Sequence, residues 1–441
     1  MNRREFLIGS GALAASVGCA QAADKVEKAE QETPVASTKL IVSPPVLQNA
    51  AETSMGVGFA VSDMANGYVD VSESPDMANA RRVKCGGFRV TDMNDKIMLV
   101  RLTGLRPSTR YYYRIGADRI SYKGGYKMKI VGHEADPKTY SFTTLGAGRR
   151  GHFCVINDTH AKFEPFGLCV DKIAELKPDC VLWNGDACNT QETVDSLLPI
   201  FYTPPIARVD YAAELPYLFV PGNHDNRGLA ARHLERAVMF RQPEERASRD
   251  WDLGRNFAVR CGDIALIGLD TGEDKLDGRD VFAGLFNMEP YRVAQTAWLK
   301  DALERPDVKL APYIVAFCHI PLYDSDPTAN PGDVDKDGGG KYRHDFALWN
   351  RTCAKMWGPL LEQAGCPLVI CAHEHAYRYD APNAEHKWGH LVGGGPDMRP
   401  GQKRFPTVVE GKVEGGELKV VVHDVLNRRI ADTFAFKPRT K

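Results

Sequence analysis

The chain has 441 residues, enough for two sizeable cores rather than one typical domain. Its composition is that of an ordinary globular protein, with 26% charged residues and a formal net charge of -1. That balance gives no general polyanion-binding surface, so no nucleic-acid partner is expected.

At the N-terminus Arg3-Arg4 precede Glu5-Phe6-Leu7 and a weakly apolar stretch from Leu7 to Val17. Ala20-Gln21-Ala22 then offers small residues for cleavage. Residues 1–22 resemble a twin-arginine export signal, which predicts a periplasmic or secreted protein. Gly18-Cys19 offers an alternative lipid-anchor site, although Ser16 stands where a Leu-like residue is usual. No later apolar run is long enough to span a bilayer. The chain has eleven cysteines, Cys19 among them. Cys154, Cys180, Cys261, Cys318 and Cys371 sit in or beside apolar runs and read as small buried hydrophobes. One or two disulfides would be compatible with export. No Cys-x-x-Cys pair suggests structural zinc.

Residues 23–39 are polar, lack an apolar period and read as a flexible tether. From 40 to 146 short half-buried strands follow one another without helices. They are Gly56 to Val61, Tyr68 to Val71, Lys96 to Leu102, Arg110 to Ile115 and Tyr140 to Thr144. This spacing predicts a β-sandwich. The stretch Leu102-Thr103-Gly104-Leu105-Arg106-Pro107, then Thr109 to Tyr113, resembles the closing corner of a fibronectin type III domain. There a tyrosine side chain pins the loop before its strand.

Leu145 to Gly151 is a composition break, and a second domain is placed at 150–441. Helical apolar spacing appears at Phe166–Leu176, Val194–Phe201, Leu229–Phe240, Pro290–Leu303 and Asn350–Ala364. These alternate with strands and predict a layered α/β domain. From Thr407 to Phe436 alternating strands return, at the back of that sheet.

Five apolar runs end in residues suited to metal chemistry. Phe153–Ile156 precedes Asp158-Thr159-His160, and Cys180–Trp183 precedes Gly185-Asp186. Tyr217–Val220 precedes Gly222-Asn223-His224-Asp225. Tyr313–Phe317 precedes Cys318-His319, and Leu368–Cys371 precedes His373-Glu374-His375. Each motif alone is weak: Gly-Asp is a common turn, and a lone His after a strand is usually structural. Their joint occurrence at strand ends is specific, because strands of one sheet deliver such residues to one edge.

This order resembles the calcineurin-like metallophosphoesterases, and the two-part layout resembles their purple acid phosphatase branch. The motifs cover roughly residues 150 to 380. The resemblance implies a four-layer α-β-β-α domain behind the sandwich. It implies two divalent metal ions, zinc, iron or manganese, with Asp186 shared between them. Asp158, His160, Asp186 and His375 would hold one metal, and Asp186, Asn223, His319 and His373 the other. His224 would be the non-ligand catalytic histidine, oriented by Asp225. The implied reaction is hydrolysis of a small phosphate monoester by a metal-bridging hydroxide. A phosphodiesterase on the same core, a nuclease and a degenerate non-catalytic binding protein are the alternatives.

Two departures matter. The purple phosphatases carry a metal-binding Tyr three residues after the bridging Asp, where this chain has Asn189, so the ferric charge-transfer colour is not expected. They also lack a His at the position of His160. Asp333 to Gly338 imitates the start of a calcium loop, but His344 stands where an EF-hand needs Glu. It reads as a polar loop overhanging the centre, with His344 and Asp345 near the pocket. Arg227, Arg232, Arg236, Arg241 and Arg246 read as a solvated helix face, or alternatively as a site for an acidic group. His133, His152, His233, His386, His390 and His423 belong to no motif and read as structural or surface residues.

Overall fold

The N-terminal strands are β1 (Val46–Gln48), β2 (Met55–Ala60), β3 (Ala65–Ser72), β4 (Arg81–Lys84), β5 (Ile97–Leu102), β6 (Arg110–Tyr122), β7 (Met128–Ala135) and β8 (Tyr140–Thr143). The computed structural model describes residues 39–85, 96–148, 151–242, 251–324, 345–398 and 404–439, with the backbone alone at 345–349. The export signal, most of the tether, Arg246, Asp333 to Gly338, His344 and the side chain of Asp345 lie outside the described residues.

After the composition break come β9 (His152–Ile156), α1 (Phe163–Leu176), β10 (Cys180–Asn184), α2 (Leu198–Phe201) and β11 (Tyr217–Val220). They are followed by β12 (Phe257–Cys261), β13 (Ile264–Leu269), α3 (Met288–Glu304), α4 (Pro306–Lys309), β14 (Tyr313–Cys318), α5 (Asp345–Gln363) and β15 (Leu368–Cys371). The chain ends with β16 (Arg378–Asp380), β17 (Gly389–Val392), β18 (Thr407–Glu414), β19 (Glu417–Asp424) and β20 (Arg429–Phe436).

The strands form three sheets. Nine run in the order β20-β19-β18-β9-β10-β11-β1-β2-β5, and six in the order β12-β13-β14-β15-β17-β16. The third sheet is β4-β3-β6-β7, with β8 on β6. The N-terminal strands thus divide. β1 pairs in parallel with β11 at Gln48 and Tyr217, so β1, β2 and β5 continue the α/β sheet. The predicted tyrosine corner is present: the Arg106 N–H donates to the Tyr111 hydroxyl at 2.9 Å. The terminal strands extend the same large sheet by antiparallel pairing of β18 with β9.

Strands β9, β10 and β11 are parallel neighbours, as are β13, β14 and β15. Strands buried on both faces read as unbroken apolar runs, as in Phe-Cys-Val-Ile and Val-Leu-Trp. Successive side chains go to opposite faces. Phe153, Val155, Leu182 and Val220 share one core cluster with Leu266, Val315, Phe317 and Ile370 of the second sheet. Ile156, Val181 and Trp183 instead meet Phe166, Cys169, Val170 and Ile173, one apolar stripe of α1. Ile267, Ile314 and Ala316 meet Leu299, Leu303, Trp357 and Leu361 of α3 and α5. Of the ten described cysteines, Cys85 is half-buried and the other nine are buried, none in a disulfide. Among the described residues no helix is long and apolar enough to cross a membrane.

Val194–Phe201 is helical from Asp195 to Phe201, a 3-10 turn Asp195–Leu197 running into the four-residue α2. One helix expectation is corrected. Leu229–Phe240 holds only a 3-10 helix at Ala231–Arg236. The apolar spacing is nonetheless real, since Ala230, Leu234, Ala237 and Val238 are all buried, but only Leu234 of these lies within the short helix.

Candidate metal centre

All five motifs lie just beyond the carboxyl ends of parallel strands, the usual place for sites in such sheets. Asn184 ties the two sheets there, its Nδ2 donating to the carbonyls of Cys318 and Ile370, both at 3.2 Å. The turns are tightly cross-linked. Asp158 N–H donates to Gly185 O at 3.0 Å and His160 N–H to Asp186 O at 2.9 Å. Ala372 N–H donates to His319 O at 2.8 Å.

Two groups of side chains converge within 4.8 Å: Asp158, His160, Asp186 and His375, and Asp186, His319 and His373. Asn223 completes the second group's surroundings, its Oδ1 3.0 Å from His373 Nδ1. The structure therefore brings together all seven residues expected as ligands. Their backbones are unusual. Of thirteen non-glycine residues with positive φ among the described residues, five are Asp158, His160, Asp186, His373 and His375. Such conformations cost energy and persist where the surroundings over-determine them, commonly at functional sites. The approach is also close. A Cβ on Gly222 would lie 2.2 Å from Asp186 Oδ1, and one on Gly185 would lie 2.3 Å from His319 Nδ1.

The hydrogen bonds show what the cluster lacks. Asp158 Oδ2 accepts from His373 N–H at 3.0 Å and Asn157 Nδ2 at 2.7 Å, while its buried Oδ1 has no donor. Asp186 Oδ1 accepts from His224 N–H at 2.8 Å, while Oδ2 has none. His319 Nδ1–H donates to Asn184 O at 2.8 Å, which leaves Nε2 without a partner, 3.2 Å from Asp186 Oδ2. His160 Nδ1–H donates to Asn189 Oδ1 at 2.9 Å, and its Nε2 faces His375 Nε2 at 3.0 Å. For Asp158, Asp186 and His319 the protein satisfies the outer atom and leaves the inner one without a hydrogen bond, which fits a cation held at the centre. Carboxylate with imidazole suits zinc, iron or manganese better than calcium.

The charges are mutually dependent. Burial alone would raise Asp158 and Asp186, but His160 and His319 hold Asp158 well below the usual carboxylate range, and His319 holds Asp186 at about 2. Burial lowers His319, yet Asp186 and Asp158 outweigh it and lift the imidazole to about 10. His373 is pushed down to about 4, first by burial. A bound cation would replace these protons and become the largest local charge.

His224 stands beside the cluster, its ring centroid 4.8 Å from that of His160. Its Nδ1–H donates to Asn189 O at 2.8 Å, and Arg227 Nη1 lies 3.1 Å from Nε2. Burial, with help from Arg227, lowers its pKa. The expected role of Asp225 is corrected. Its carboxylate accepts backbone N–H groups from Asp186 and Gly222 at 2.8 Å and from Ala187 at 3.1 Å. It clamps the turn after β10 to the turn after β11, and Asn189 orients His224 instead.

Three features escaped the sequence reading. Asn189, noted there only for not being Tyr, positions both His160 and His224. Arg227 does not belong to a solvated face: its Nε donates to Glu273 Oε2 at 2.9 Å and its Nη2 to Asp274 Oδ1 at 3.0 Å. Those acids follow β13, a sixth apolar run ending in a polar turn, Asp270 to Asp274. That pattern was the available signal. Lastly, Gly395 of the run Gly393-Gly394-Gly395 packs under His375, where a Cβ would lie 2.7 Å from the His375 Cβ.

The family model for calcineurin-like phosphoesterases matches residues 151–377, the span that carries every residue of the cluster. The chain belongs to this family, whose members are metal-dependent phosphoester hydrolases. Its fold is similar to that of purple acid phosphatase PPD1 from yellow lupin (Lupinus luteus) seeds. That likeness has a TM-score of 0.63 at 14% identity and covers 90% of this chain and 74% of the lupin chain. It is also similar to PhoD, with a TM-score of 0.59 at 12% identity over 92% of this chain and 94% of that one. No curated protein matches the chain.

Proposed function

We propose that the chain is an exported phosphatase that hydrolyses phosphate monoesters at a pair of divalent metal ions. The observation that carries this is the set of inward, donorless atoms: Asp158 Oδ1, Asp186 Oδ2 and His319 Nε2 in one buried cluster. Asp158, His160, Asp186 and His375 would hold one ion, and Asp186, Asn223, His319 and His373 the other. Bound there, the ions would supply Lewis acidity and a water nucleophile of lowered pKa.

The chain's own residues do the rest. Arg227, held by Glu273 and Asp274, offers a guanidinium beside His224, where it can pair with a phosphoryl oxygen. This second source of positive charge favours the dianion of a monoester. Asn189 O fixes the His224 tautomer, so Nε2, which faces Arg227, is the nitrogen that would carry a proton to the departing alkoxide. The negative substrate would offset the burial that lowers His224. We read the helix and sheet clusters as four layers, α-β-β-α. The division at 40–146 and 150–441 is narrowed: β3, β4, β6, β7 and β8 form a sheet of their own with a fibronectin-like corner, while β1, β2 and β5 belong to the sheet of the second part. Export rests on Arg3-Arg4 and the cleavage residues to Ala22.

Metal analysis of the folded, exported protein should give about two ions per chain. One ion or none, together with no turnover of an aryl phosphate under zinc, iron or manganese, would sink the reading. His224→Ala should lower kcat by about 10²- to 10⁴-fold while both ions stay bound. A panel of matched mono- and diesters decides the substrate preference, and N-terminal sequencing of exported protein decides cleavage at Ala22 against retention of Cys19.

A further inference from the structure

Arg227 also lines an open cavity of about 1060 Å³ whose lining includes none of the metal ligands. The cavity is two-faced. Arg227, Arg232 and Lys275 lie on it, and Asn226 joins it to the turn that carries His224. Glu192, Asp252, Arg255 and Asp270 line it as well, beside an apolar stretch of Leu229, Val281, Phe282, Leu285, Phe286 and Tyr291. Three of these are unusually exposed for their type, Leu229 at 72%, Val281 at 57% and Leu285 at 86%. Exposed apolar side chains scattered singly need no explanation, but several gathered on one concave wall mark a binding surface. The wall is built rather than frayed. Phe282 and Phe286 pack at 4.3 Å between ring centroids. Tyr291 donates its hydroxyl to Asp270 at 3.2 Å.

Resting on the hydrolase reading above, we infer that this cavity takes the alcohol portion of the substrate, and that the substrate is a phosphate ester of a large apolar alcohol. One side chain links the cavity to the reaction site: Arg227 lines the cavity, and its Nη1 lies 3.1 Å from His224 Nε2. A phosphoryl group at the metals would place its ester oxygen toward His224 and the carbon beyond it along this wall. A glycerol- or sugar-sized polar alcohol would leave the wall wet. An alkyl or aryl group would cover it and gain the burial.

The test uses n-alkyl phosphates from methyl to hexyl, whose alcohols lengthen with little change in leaving-group chemistry. Each methylene fully buried on the wall raises kcat/KM by up to roughly fourfold. The hexyl-to-methyl ratio is therefore expected to be at least about tenfold even with partial burial. Leu285→Asp and Leu229→Asp, at positions too exposed to disturb folding, should bring that ratio toward one. Turnover with a ratio near one in the native protein overturns this inference and leaves the hydrolase reading intact. So does a high ratio that both variants keep. A concentration-dependent dimer abolished by Leu285→Asp would assign the wall to a second copy of the chain and also overturn it. No turnover of any ester, with the metals bound, would overturn both readings.

Discussion

The turn after β10 and the turn after β11 each bury a carboxylate, and the two do opposite things. Asp225, 0% exposed, has its oxygens covered by the N–H groups of Asp186, Gly222 and Ala187. Asp186, 1% exposed, has one oxygen held by the His224 N–H and the other facing donorless into the cluster. A buried charge is tolerated only when something compensates it. For Asp225 the protein backbone is the compensation, so it is part of the fold. For Asp186 the compensation must come from outside the chain, so it is part of the site. Burial alone would not separate them; the count of donors does.

Asp186→Asn should break the comparison most severely. Activity should fall by more than about 10³-fold, the scale of losing a central charge-stabilising group. The metal-loaded native protein should melt above its stripped form, since a ligand that binds only the folded state stabilises it. In the variant that gap should close. A variant that still melts higher with metal would show that Asp186 is not shared between the ions. Asp225→Ala should behave differently. It strands four buried N–H groups, those of Asp186, Ala187, Cys188 and Gly222, each costing about 1–3 kcal/mol. Its melting temperature should therefore drop in the loaded and stripped forms alike. Loss confined to the loaded form would make Asp225 a site residue after all.

Asn189→Ala probes the contact between the two turns at lower cost. Asn189 holds His160 by its side chain and His224 by its carbonyl, and only the first contact is removed. Losing such an outer partner of a metal-ligating histidine typically costs 10- to 100-fold in affinity or activity, roughly the effect expected here. Metal titration should show the weakening. Unchanged affinity would mean His160 keeps its orientation through packing alone.

The same two turns show what a sequence can and cannot carry. The ligand positions were legible because each follows an apolar run, although the runs belong to two sheets, β9 to β11 and β14 to β15, rather than to one. The role of Asp225 was misread because adjacency to His224 suggested contact. In the 3-10 turn His224–Asn226 the two side chains diverge, one outward and one into the backbone beneath. Arg227 and Asn189 were opaque because their partners lie tens of residues away, Glu273 in a turn whose strand β13 was not recognised. The nine-stranded sheet was hidden for a similar reason: β1 is three residues long, and only its pairing with β11 shows that the N-terminal strands continue the second half of the chain.

A third carboxylate, Glu410 on β18, extends the comparison to one compensated by side chains. It accepts from His152 of β9 at 2.8 Å and His423 of β19 at 3.1 Å, tying three neighbouring strands. These imidazoles hold its pKa at about 2, below the ordinary 4.5. A carboxylate whose folded pKa is depressed contributes stability that is fully present above its unfolded value and lost as pH falls through the folded one. The contribution of Glu410 should therefore fade between pH 4.5 and about 2. Glu410→Gln should flatten that part of the acid-unfolding curve and leave metal content at neutral pH unchanged, because the residue sits on the strand and not at its ligand-bearing end. The effect should be the smallest of the set, since an interaction with partly solvated partners is worth little. Denaturant unfolding at stepped pH measures it directly. An unaltered acid limb in the variant would mean that the two histidines serve Glu410 only as packing neighbours, leaving Asp186 and Asp225 as the informative pair.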